Sequence, residues 1–211
     1  LRFMESDELL SEAIALKGGT AINLTIFDLP RLSVDIDLDY CRSIHREKMF
    51  ADRDIITDKI SKYMNANGYT LSPKSKNYHA LDSFVYEYVN CGGVKDNIKI
   101  EINYMLRCHV LPVARREVKL PWNEEKLTVL SVAPLEIFAS KTVALLTRTA
   151  PRDLYDMYNM VKYGLLDESE EAMFRKCVTF YSAIGAECPP ERFELDNVGN
   201  VSKQQIKRDL D

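Results

Sequence analysis

Ser33, Asp35, Asp37 and Asp39 alternate with Val34, Ile36, Leu38 and Tyr40. Successive strand residues point to opposite faces, so this pattern predicts one strand with an apolar face and a face of three carboxylates. Three like charges in a row repel and gain nothing from burial, so a cation is expected beside them. A divalent metal carrying a triphosphate suits that demand, because magnesium takes hard oxygen ligands and shares them with phosphate. Upstream stands Leu16-Lys17-Gly18-Gly19-Thr20. It reads as a strand end, a glycine turn and a helix start with Thr20 as N-cap. Two glycines let backbone approach a phosphate closely, and a helix start aims N–H donors at it. Alone, a Gly-Gly-Thr is usually a turn and an Asp-x-Asp usually a solvated edge. Their order and spacing make the pair informative.

A third carboxylate is available further on. In the segment 97–105, Ile98, Ile100, Ile102 and Tyr104 share one face and Lys99, Glu101 and Asn103 the other. Glu101 is thus an acid on the polar face of a core strand, placed to join Asp35 and Asp37 around a metal pair. A second charged cluster follows: Lys141, Arg148, Arg152, Asp153 and Asp156. Lys141 and Arg148 are seven apart and share a helix face, as do Asp153 and Asp156. Lysine and arginine together suit a triphosphate. A salt-bridged helical hairpin explains the same pattern equally well.

The rest of the chain frames these clusters. Helical periodicity over 5–17 runs into a short strand at Ile14–Lys17, and Pro30 is expected to stop the helix that follows the glycines. Met49, Phe50, Ile55, Ile56, Ile60, Tyr63 and Met64 predict a helix from Arg46 to Asn67, stopped at Asn67-Gly68. Strands are expected over 69–74, 83–90, 97–105, 116–120 and 128–132. Helices are expected over 134–149, 151–163 and 168–184, with a polar tail from Cys188 through Pro189-Pro190. The fold class is α+β, with one domain over 1–133 and a helical domain over 134–211.

Composition narrows the function classes. With 46% hydrophobic and 28% charged residues the chain reads as an ordinary globular protein. A net charge of −4 gives no global nucleic-acid signature, so RNA contact needs a local patch. Lys95, Lys99, Arg107, Arg115, Arg116 and Lys119 form a loosely basic stretch that reads as a solvated sheet face. Tyr155, Tyr158 and Tyr163 read as helix packing. Asp39 reads as a solvated charge past the site. His45, His79 and His109 have no ligand spacing. Five cysteines without a C-x-x-C pair argue for a reducing compartment. No apolar run is long enough to span a membrane, and the cytoplasm is the expected location. The chain starts at Leu1 rather than Met, and an N-terminal segment is expected to precede it.

Taken together, L-K-G-G-T-A-I-x-L, R-x-S-x-D-I-D-L, I-E-I, K-x5-T-R and R-D-x-Y-D resemble the AbiEii/AbiGii-type nucleotidyltransferase toxins, MenT toxins included, of the polymerase-beta-like nucleotidyltransferase superfamily. The resemblance runs from about Leu16 to Tyr163. It implies a minimal nucleotidyltransferase mixed sheet with flanking helices and a C-terminal helical region. It also implies transfer of a nucleotide from a nucleoside triphosphate, with Mg2+ or Mn2+, to an RNA such as a tRNA 3′ end, and a cognate antitoxin. Carried over by position, Gly18, Gly19, Thr20 and Ser33 bind nucleotide, and Asp35 and Asp37 bind metal. Glu101 stands at the third carboxylate. Lys141 and Arg148 hold the triphosphate, and Asp156 is the acting member of the last acidic motif. Two other readings stay open: a nucleotide-binding regulatory module without turnover, and a nucleotidyltransferase that modifies protein.

Overall fold

The computed structural model describes residues 1–27, 33, 35–119, 126–185, 196–199 and 201–210. The expected features at Pro30, Arg31, Leu32, Val34, Leu120 and Cys188 to Pro190 lie outside these residues. Two compact units divide the chain, Leu1–Val132 and Ala133–Asp211.

The first unit opens with helices α1 (Arg2–Ser6) and α2 (Glu8–Ala13), which lead into strand β1 (Ile14–Lys17). Helix α3 (Gly18–Ala21) follows and widens into a π-helical turn at Ile22–Ile26. Strand β2 (Ile36–Tyr40), the 21-residue helix α4 (Arg46–Ala66), β3 (Thr70–Leu71), β4 (Lys76–Asn77), β5 (Leu81–Val89), β6 (Lys95–Asn103), β7 (Ala114–Glu117) and β8 (Thr128–Ser131) complete it. Among the described residues the strands form one mixed sheet in the order β3-β5-β6-β2-β1-β8-β7, with β4 also paired to β5. The central pairings decide the site: β1 runs antiparallel to β2, and β2 runs parallel to β6.

Helix α4 covers one face of this sheet. Its buried Met49, Ile56, Ile60 and Met64 repeat at helical spacing, and Gly68 at φ +83° turns the chain where Asn67-Gly68 predicted a stop. Polar links fix α4 to the strands. The Tyr40 hydroxyl donates to Asp52 at 2.6 Å, and the Arg53 guanidinium grips the fully buried Asp82. Leu38, Tyr40, Phe84, Ile100 and Ile102 fill the apolar layer between. Lys17, Asp37 and Glu101 lie on the opposite face.

The second unit begins with α5 (Pro134–Arg148) and α6 (Pro151–Lys162), each started by proline in the first turn. A 3₁₀ turn at Glu168–Glu170 leads into α7 (Glu171–Gly185), and α8 (Asp196–Gly199) and α9 (Lys203–Leu210) follow. Helices α6 and α7 pack on α5 around Ile137, Phe138, Leu145, Met160 and Cys177. The fold agrees with the α+β class and a C-terminal helical region. Differences are local. The strand expected at 69–74 shrinks to Thr70–Leu71 beside an unexpected β4, and the polar tail holds α8 and α9. Among the described residues no helix is long and apolar enough to cross a membrane.

Candidate active site

Strand register builds the first cluster. Lys17 on β1 stands opposite Asp37 on β2, and Asp37 stands level with Glu101 on β6. The three side chains form one row across three strands on one face. One step further along, Ile36 pairs with Ile100. Continuing that register sets Asp35 at the level of Lys99. One step back, Asp39 lies opposite Ala15 and level with Asn103.

Asp35, Asp37 and Glu101 are half-buried, so their carboxylates meet water on one side. Lys99 donates to Glu101 at 2.9 Å. This hydrogen bond raises the Lys99 ammonium above its ordinary pKa; burial opposes the rise, and the charges of Glu101, Asp35 and Asp37 add to it. Asp39 corrects the sequence expectation. It is 1% exposed, and the Lys17 ammonium reaches it at 2.5 Å. A buried carboxylate without such a partner would shift toward its neutral form. On this face Lys17 pairs with Asp39 and Lys99 with Glu101.

The glycine turn meets the acidic row directly. Gly18 has φ +66°, which glycine tolerates and other residues rarely do. A Cβ there would collide with the Asp37 carboxylate. Gly19 and Thr20 are buried in α3. Thr20 is not the N-cap, since the helix begins at Gly18 with Lys17 in that position. Its hydroxyl instead donates to the Asp35 carbonyl and lies 3.4 Å from that of Ser33. Thr20 thus ties the entry of β2 to α3, and Ser33 enters the site through its backbone.

The second cluster lies in the second unit. Lys141 on α5 contacts Asp153 at 2.9 Å and Asp156 at 3.1 Å on α6. Arg148 closes a two-pronged pair on Asp153, with Nε at 2.7 Å and a terminal nitrogen at 3.0 Å. Both aspartates are fully buried. Burial alone would raise the Asp153 carboxyl, but the hydrogen bonds and charges of Arg148 and Lys141 outweigh it and hold the pKa below the usual value. Thr149 makes the turn possible by taking φ +53°, and Ala150 alone separates it from Pro151. The salt-bridged hairpin is therefore real. It does not exhaust Lys141, because an ammonium has three donors: one is hydrogen-bonded to Asp153, and Asp156 Oδ2 is an ion-pair contact.

One sequence expectation changes at the surface. Tyr158 and Tyr163 are 60% and 54% exposed rather than packed, and Lys162 lies over both rings at 5.8 and 5.5 Å. The basic stretch is not a continuous track. Arg107 donates to the Ile44 carbonyl, Lys119 to that of Ile26 and Arg115 to that of Ser11. The Lys17–Asp39 and Lys99–Glu101 pairs went unseen in sequence. The signal was present: Lys99 and Glu101 are two apart on one strand, and Lys17 ends the strand before the glycines.

The residue types of the acidic row are those a divalent metal takes as ligands. Asp35, Asp37 and Glu101 offer hard oxygens on one face, and the missing Cβ of Gly18 keeps the Asp37 carboxylate approachable. Among the described residues no group of three or more His, Cys, Asp or Glu side chains is gathered closely enough to hold a metal ion as they stand.

Comparison with known proteins bears on this arrangement. No curated protein matches the sequence. Among solved structures, the chain resembles MenT4, a nucleotidyltransferase toxin from Mycobacterium tuberculosis H37Rv, with TM-score 0.61 and 14% identity over 92% of this chain. The chain spans 65% of that protein's length, and the likeness is one of fold. An antigenic nucleotidyltransferase-like protein from Paracoccidioides brasiliensis matches at TM-score 0.48 and 16% identity, over 87% of this chain and 88% of that one. A family model described as nucleotidyl transferase AbiEii toxin, of a type IV toxin–antitoxin system, matches residues 2–211. With that match spanning nearly the whole chain, the protein belongs to the AbiEii nucleotidyl transferase toxin family.

Proposed function

We propose that the chain transfers a nucleoside monophosphate from a nucleoside triphosphate to an RNA 3′ hydroxyl, that of a tRNA, with Mg2+ or Mn2+ bound at the acidic row. It does so as a cytoplasmic toxin restrained by a cognate antitoxin. One observation carries this reading: β2 and β6 bring Asp37 level with Glu101, with Asp35 one step away and Gly18 against Asp37. A divalent metal at this row would neutralise charge on the triphosphate and lower the pKa of the acceptor hydroxyl.

Each residue then has a task. Asp35 and Asp37 hold the metal. Glu101 joins them and helps take the proton from the acceptor hydroxyl as its oxygen attacks the α-phosphorus and pyrophosphate leaves. Gly18 and Gly19 admit phosphate oxygens close to backbone, while Thr20 and Ser33 fix the loop that carries Asp35. Lys141, with a donor to spare, and Arg148 neutralise the triphosphate, and Asp156 holds Lys141 in position. The exposed Tyr158–Lys162–Tyr163 group supports RNA as acceptor, because stacked rings beside a cation grip bases of any sequence.

Incubation with labelled triphosphates, total RNA and total protein tests the reading. Label should enter small RNA and vanish in Asp35→Ala and Lys141→Ala. Equal labelling by all three proteins sinks the site. Label in protein instead of RNA makes this a protein-modifying enzyme, and triphosphate binding without product makes it a regulatory module.

A further inference from the structure

Lys99 has no task in the scheme above, yet it touches the centre of the acidic row. Its ammonium holds Glu101 at 2.9 Å and lies within electrostatic reach of Asp35 and Asp37. The pair does little for the fold. Lys99 and Glu101 sit two apart on the same strand, so their bond ties no element to another, and their side chains are 36% and 28% exposed. Exposed pairs of that kind contribute little stability. The Lys17–Asp39 pair differs. It spans β1 and β2, and its carboxylate is 2% exposed.

We propose that Lys99 is a built-in competitor of the divalent cation, a positioning residue that occupies Glu101 and screens Asp35 and Asp37 until metal displaces its ammonium. The inference rests on the metal reading of the acidic row and deepens it. In the metal-free protein the Lys99 ammonium keeps the like-charged carboxylates together at no cost to the fold. Metal taken up through Oε1 of Glu101 competes with the Lys99 ammonium for the same oxygen, and the ammonium's charge opposes the cation at either oxygen. Lys99 thereby sets the metal concentration at which the row fills. No change in the protonation of any group is required.

The full chain is titrated with Mn2+ and free ion is read by electron paramagnetic resonance. Lys99→Gln and Lys99→Met, both uncharged, are expected to lower the Mn2+ Kd about tenfold, the scale of one removed neighbouring charge at this partly wet site. Lys99→Arg keeps the charge and should stay within about twofold of wild type. In a Glu101→Gln background the Lys99–Glu101 pair is gone, so Lys99→Gln should then gain only about twofold. An unchanged or raised Kd in both uncharged variants overturns the proposal while leaving the metal site intact. So does a full tenfold gain that persists without Glu101, which would be general repulsion rather than competition. Absence of any saturable Mn2+ binding that Asp37→Ala abolishes overturns the metal reading and the proposal together.

Discussion

The two charged clusters of this protein use the same ingredients and differ in how far they are buried. In the second unit Asp153 and Asp156 are sealed from water, and Lys141 and Arg148 neutralise them from within the chain. In the first unit Asp35, Asp37 and Glu101 remain half-buried, with Lys99 paired to Glu101 at 2.9 Å. A cluster that carries its own counter-ions supports the fold and can lend a spare donor. A cluster left half-buried keeps its carboxylates within reach of solutes.

Substitutions should separate the two kinds. Asp37→Asn is expected to lower nucleotidyl transfer about a thousandfold in a label-incorporation assay. Its urea midpoint should hold or rise, since the change removes one charge from a like-charged row. Asp153→Asn should do the reverse first. Leaving Lys141 and Arg148 facing a neutral amide in a buried place should cost about 3 kcal/mol in urea denaturation. The pH profile sharpens this. Asp153 titrates below its ordinary carboxylate value in the folded chain. Its ionised form therefore stabilises the protein above that value, and the benefit is lost as pH falls through the lower folded pKa. The stability gap between wild type and Asp153→Asn should close in acid and stay constant toward neutrality.

Gly18→Ala joins both measurements. It forces a Cβ onto the Asp37 carboxylate at a positive φ, so about 2 kcal/mol of stability should go, and activity with it. The smallest effect is expected at the helical turn. Thr149 is a β-branched residue at φ +53°, and Thr149→Asn should raise stability by about 0.5 kcal/mol in the same urea assay. A loss there would show that the turn is held by contacts of the threonine side chain.

Much of this was legible in the residues because local pattern and final structure agree. The period-two alternation announced the acidic strand, helical spacing announced α4, α5 and α6, and Asn67-Gly68 and Pro151 marked their limits. The site was legible only as a set of residue types. Which strand pairs with which is decided by packing across the sheet, so the level of Asp37 with Glu101 was invisible, as was the diagonal reach of Lys17 to Asp39. Asp39 misled for this reason, since alternation gives a face and not its burial. Tyr158 and Tyr163 misled in the other direction. Aromatic residues on a helix are usually core, and here the apolar side of α6 is taken up by Met160 and the buried aspartates.

The sheet order also governs when β1 is completed during synthesis. Strand β1 lies between β2 and β8, and the Leu16 carbonyl is met by the Val132 amide at 3.0 Å and the Ser131 hydroxyl at 3.2 Å. The lysine and glycines that follow Leu16 are thus anchored by residues made more than a hundred positions later. At ordinary translation speeds that interval lasts about ten seconds. Throughout it β1 has β2 on one side and lacks β8 on the other. The strand that carries Lys17 and leads into the glycines is therefore completed on both sides only when nearly the whole first unit has been made.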